Sequence, residues 1–253
     1  MANLLERFGI KEVADVTFYE IDKTTQGPKT PVLYLDTLKV STIEQTAENV
    51  SARGGKGNPE LIIWDYNKEI TVTLEDALFS AKSMAVMFGA KDIKEGAAAS
   101  ATIYKSVKVT GNATTMSSAT ETIITEIAGN TQVTMTNCKW LDAVTGATIT
   151  ASAALTAGHQ YIVNGQIAGN DKREIIINAD TFPGNYYITG DTYARSEIDG
   201  TDEMFQFIIP KAKVLSEVTL TMEAEGDPST FNLNLKVLRP SNGEMMKLVQ
   251  YKL

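Results

Sequence analysis

The chain has 253 residues, of which 43% are hydrophobic, with a formal charge of −8, one histidine and one cysteine. That apolar share is enough to fill a core, which excludes global disorder; the acidic balance excludes broad adhesion to nucleic acid, which needs clustered Lys and Arg to displace counterions. Cys138 has no second cysteine with which to form an intrachain disulfide, and it lacks the spaced partners a zinc site requires.

No apolar run approaches the roughly 18 residues of a membrane span. Glu6 stands where an export signal would be basic. The expectation is a chain made in the cytoplasm, without a membrane partner, that leaves only by another route such as inside a particle.

Residues 13–21, with Val13, Val16, Phe18 and Tyr19, predict a first strand. Gln26-Gly27-Pro28 turns the chain, and Pro31 opens a second strand, where its missing N–H costs least. Residues 33–41 are apolar-rich. Residues 42–59 then read as a polar, glycine-rich loop, followed by the bulky run Leu61, Ile62, Ile63, Trp64. Ile70, Val72 and Leu74 alternate with Thr71 and Thr73, the period of a strand with one buried face.

A long loop between two strands is usually functional or disordered. This one is expected to be a mobile arm that contacts a neighbouring subunit through Glu48, Arg53, Gly54, Gly55, Lys56, Gly57 and Asn58. The glycines admit whatever φ docking demands, and the cations pair with acidic patches. A phosphate loop is excluded, because Lys56 is followed by Gly57-Asn58-Pro59 and a strand instead of Ser or Thr and a helix.

One helix is predicted between Ser80 as N-cap and Gly89 as left-handed terminator, with Ala81, Met84, Ala85 and Phe88 as its buried stripe. It would plug one face or end of a sheet. From 106 to 170 the charged residues are Lys108, Glu121, Glu126, Lys139 and Asp142 alone. Short strands are predicted at 107–109, 122–127, 131–135, 147–151 and 160–163. Turns fall at Gly111-Asn112, Gly129-Asn130, Thr145-Gly146 and Asn164-Gly165.

Two readings stand. Either this stretch extends the main sheet, or it is a small inserted β module, immunoglobulin-like, that interrupts a discontinuous domain of residues 1–105 and 171–253. The main pattern resumes with Ile175-Ile176-Ile177 as a buried run, then strands at 186–195 and 203–210. Three alternating segments close the chain at 218–225, 231–237 and 245–251, read as an antiparallel meander. The fold class is mainly β: an antiparallel sandwich or half-open barrel with one short capping helix.

Little in the chain carries chemistry. His159 sits in a Gly-His-Gln turn with no nucleophile elbow near it. Glu223, Glu225 and Asp227 lack the spacing of a calcium loop. No catalytic residue, cofactor or metal is expected.

Three stretches together resemble the tail tube (major tail) proteins of long-tailed, contractile-tailed bacteriophages. They are Thr42-Ile43-Glu44-Gln45-Thr46-Ala47-Glu48 with Ala52-Arg53-Gly54-Gly55-Lys56-Gly57-Asn58-Pro59; Ile62-Ile63-Trp64-Asp65-Tyr66 through Val72 to Ser80; and Phe207-Ile208-Ile209-Pro210-Lys211-Ala212-Lys213 with residues 219–228. The resemblance implies a virion protein assembled in the host cytoplasm into stacked hexameric rings whose strands close into one barrel. It also implies a loop reaching the neighbouring ring, a lumen that passes DNA without specific binding, and sheath and tape-measure proteins as partners. The inserted stretch is expected to decorate the outside of the tube or to meet a sheath. Alternatives at this level are another virion component (baseplate, neck or capsid decoration) or a β-rich adhesin or glycan-binding module.

Overall fold

A computed structural model describes residues 7–111, 121–125, 132–149, 155–169, 171–220 and 230–252. In chain order its strands are β1 (Phe8–Ile10), β2 (Asp15–Ile21), β3 (Pro28–Leu35), β4 (Leu38–Arg53) and β5 (Glu60–Asp76). Helix α1 (Ala81–Phe88) follows, then β6 (Ile93–Glu95), β7 (Ile103–Thr110), β8 (Glu121–Thr125), β9 (Gln132–Asp142), β10 (Thr148–Ile149) and β11 (Gln160–Ile167). The chain ends with β12 (Arg173–Ile175), β13 (Asn185–Ser196), β14 (Asp202–Val214), β15 (Phe231–Val237) and β16 (Lys247–Tyr251). It divides into two compact units, Met1–Ile93 with Ile175–Leu253, and Lys94–Glu174.

The first unit is built on a nine-stranded sheet in the order β3-β2-β13-β14-β15-β5-β4, with β1 added to β13 and β16 added to β14. Its period-two apolar residues share one core: Val16 and Phe18 of β2, Val72 and Leu74 of β5, Ile188 of β13, and Leu233 and Leu235 of β15. Strands from both ends of the sheet meet there, so the sheet curls over on itself as an open sandwich. Each fully buried large side chain contributes about 1.5–3 kcal/mol. With no disulfide available, this burial and the strand ladders hold the fold.

The closing segments do not form a meander. β13 occupies one edge of β14 along its length, so β15 and β16 share the other edge. β16 pairs with Met204 to Ile208 and β15 with Ala212 to Val214, the chain crossing between them through the turn closed by Gly243 N–H to the Pro240 carbonyl. Of the strand expected at 218–225, residues 218–220 are not strand and 221–229 lie outside the described residues. Glu223, Glu225 and Asp227 fall in that stretch. The isoleucine run is also not a buried strand, since β12 ends at Ile175 and Ile177 is 59% exposed.

Helix α1 has the expected ends but buries a different stripe. Ser80 and Ser83 form a capping box, each hydroxyl accepting the other's backbone N–H at 2.9 Å, and Gly89 terminates the helix at φ 69°. The Ser83 hydroxyl also donates to the Ser80 carbonyl. With its polar atoms satisfied, Ser83 is buried alongside Ala85, Val86 and Met87, which turns Ala81, Met84 and Phe88 to half-buried positions. Gly89 is required twice over: a Cβ there would stand 2.4 Å from the Phe182 carbonyl carbon.

The second unit has its own five-stranded sheet, ordered β10-β9-β11-β7 with β8 on β9. Met135, Cys138, Trp140, Tyr161 and Val163 form its core. The expected turn at Thr145-Gly146 is present; Asn112 of the Gly111-Asn112 turn and both residues of Gly129-Asn130 lie outside the described residues. Asn164-Gly165 is not a turn. Both residues run through β11 at a bulge opposite β9, and Gly165 leaves room for the Cys138 sulfur and the Met135 methyl.

Candidate functional site

β4 and β5 pair from Leu38 and Asp76 at the base to Arg53 and Glu60 at the tip. β15 covers the outer edge of β5 only from Thr71 to Asp76. Past Ile70, no described strand pairs with either edge, and every β5 residue from 60 to 69 is exposed. The result is a two-stranded ribbon, wet on both faces and open along both edges. Such a hairpin is marginal by itself, and its open edges invite another chain.

The mobile loop expected over residues 42–59 is therefore mostly strand. Thr42 through Arg53 belong to β4, and only Gly54 to Pro59 form a turn. Gly55 and Gly57 adopt φ of 85° and 86° and Asn58 adopts 52°, while Asn58 N–H bonds the Gly55 carbonyl at 3.1 Å. Lys56 is exposed at the tip. Arg53 is paired within the ribbon by Glu60, which also accepts the Ser51 hydroxyl at 3.3 Å. Glu48 lies midway along β4, opposite Tyr66, and accepts the Asn67 amide at 3.3 Å.

The register contains a feature that sequence reading missed. Thr46 faces Glu69 but Glu48 faces Tyr66, so β5 carries one extra residue there, at a bulge where Asn67 takes φ 50°. A one-residue slip exchanges the faces of a strand. By simple alternation Ile62, Trp64 and Tyr66 would share the core-facing side of Ile70, Val72 and Leu74. The bulge moves them to the opposite side, the side of Thr46, Glu48 and Val50.

Val50 then stands directly across from Trp64, and Ala52 from Ile62. The resulting stripe is apolar and wet: Val50 is 54% exposed, Ile62 53%, Trp64 52% and Tyr66 47%. Single exposed apolar residues are ordinary, but a contiguous group of them marks an interaction surface. The bulky run at 61–64 was the available signal: four consecutive apolar residues in one strand leave an apolar side chain facing solvent unless both faces are covered.

The histidine makes a brace. His159 Nε2 lies 2.7 Å from Asp142 Oδ2, and its ring packs edge-on against Tyr161. Backbone N–H groups of Thr145 and then Val144 bond the same carboxyl, and with the imidazole they hold it down to about 2. Among the described residues no group of three His, Cys, Asp or Glu side chains could hold a metal ion, and no helix is long and apolar enough to cross a membrane.

The described residues thus form an open antiparallel sandwich bearing a two-stranded ribbon with an unburied apolar face. A comparison with protein families matches the YomU/Tube protein family over residues 8–250. The chain belongs to that family, a phage tube-type structural family. A search of curated proteins found no match.

Proposed function

We propose that this chain is the repeating subunit of a phage tail tube, polymerising with copies of itself into stacked rings around a channel through which DNA is ejected. The observation that carries the reading is the β4–β5 ribbon, whose edges and apolar stripe are left uncovered by the described residues of the chain. Edge pairing between identical subunits removes exposed strand edges, and burying the stripe supplies the hydrophobic gain. A net charge of −8 suits a wall that repels phosphate, so DNA passes without specific binding. By the same reading the rings are hexameric, and the other partners are a sheath and a tape-measure protein. The function is one of shape and assembly, with no reactive group.

The test replaces residues 47–68 by an Asn-Gly turn, joining Thr46 to Glu69. The shortened chain should keep the far-UV circular dichroism of a folded sheet and remain monomeric at concentrations where the full chain forms rings and tubes by negative stain. A shortened chain that polymerises as the full one does would overturn the assignment of assembly to the ribbon.

A further inference from the structure

The first unit also carries a concave apolar surface at the base of β4. It is a groove of about 420 Å³, lined by Ile10, Val13, Val40, Ile43, Phe205 and Phe207. Ile10, Val13 and Val40 are each 40–49% exposed, so the groove stands open. Lys11 and Lys39 sit on its rim against a single acid, Glu12, and among the described residues neither lysine has an ion pair.

Resting on the tube-subunit reading, we propose that this groove is the receptor for the ribbon of a second copy, which seats Val50, Ile62, Trp64 and Tyr66 in it. The stripe and the groove are complementary in kind: one projects, the other is hollow, and both are apolar and unburied. Their charges are also complementary, because Glu48 flanks Val50 on the stripe's own face and would meet Lys11 and Lys39.

The ribbon cannot reach the groove of its own chain. Ile43 lines the groove, and Val50 lies seven residues further along the same paired strand, roughly 23 Å away at ~3.3 Å per residue. A partner copy is therefore the occupant. The two surfaces differ, so the contact is head-to-tail and leaves each copy with one ribbon and one groove for the next, the geometry that propagates a stack.

Two measurements test this on the full chain. Trp64→Ala and Val13→Asp should each raise the critical concentration for polymerisation about tenfold or more, and the double variant should be little worse than either single one, because both break one contact. Copies carrying Ala52→Cys mixed with copies carrying Lys11→Cys should form an intermolecular disulfide under mild oxidation once assembled. The native Cys138 is buried in the second unit and stays out of the exchange.

Wild-type tubes with unaltered critical concentrations in both single variants, or with additive effects and no 52-to-11 product, would overturn the groove assignment and leave the tube-subunit reading standing. A wild-type chain that never polymerises would remove both.

Discussion

Gly190 is the position at which one added methyl should cost the first unit most. It lies in β13 directly between Val16 of β2 and Phe207 of β14, and the Phe207 ring covers its Cα. A Cβ there would stand 2.1 and 2.2 Å from two ring carbons of Phe207, where ordinary contacts lie at 3.4–4 Å. Phe207 is only 3% exposed, so the ring has little room to shift.

If the core absorbs the methyl, overpacking costs about 1–3 kcal/mol. If the ring is expelled, its lost burial costs about 2–3 kcal/mol. The two routes together make Gly190→Ala destabilising by about 1–3 kcal/mol, and at about 2 kcal/mol per M this lowers the urea midpoint by on the order of 1 M. Far-UV circular dichroism follows the transition, since Trp64 is on the ribbon and Trp140 is in the other unit. In a Phe207→Leu background the same glycine substitution should cost at least about 1 kcal/mol less, because the clashing ring is gone. An unchanged midpoint for Gly190→Ala would refute the placement of that ring.

Inserting one Thr between Ala47 and Glu48 should give Asn67 a partner, restore simple alternation in β5 and turn Ile62, Trp64 and Tyr66 to the other face, abolishing polymerisation while circular dichroism stays that of the parent; tubes of normal yield from the insertion would contradict the role given to the bulge. Asp142 titrates at about 2 when folded, below the unfolded value near 3.9, so its charge stabilises the second unit above about pH 4 and ceases to do so as pH falls toward 2. The melting temperature of Asp142→Asn should lie below that of the parent at pH 7, with the gap closing over that acid range. Ser80→Ala removes one half of the capping box and should cost about 1 kcal/mol by urea unfolding.

Much of the fold was legible where one face of a strand is buried. Phe231, Leu233, Leu235 and Val237 alternate with polar residues because one side meets the core, and Ile70, Val72 and Leu74 do the same. The ends of α1 were legible because caps act locally. Thr42 to Arg53 gave no strand signal for the complementary reason: a ribbon in water on both faces has nothing to alternate, so its polar sequence imitates a loop. The bulge at Asn67 then hid the phase of β5, and with it the apolar stripe. Non-local pairing was the other blind spot. Nothing in residues 245–251 tells that β16 joins β14 instead of its sequence neighbour β15, since either partner would accept the same alternation.

The most direct measurement is sedimentation of the purified full chain over a rising concentration series, with negative-stain images of the fast fraction. Polymerisation through the uncovered ribbon predicts a sharp threshold above which hollow tubes of stacked rings appear with no other protein present. A chain that sediments as a single subunit at every concentration, salt and pH tried would contradict the account.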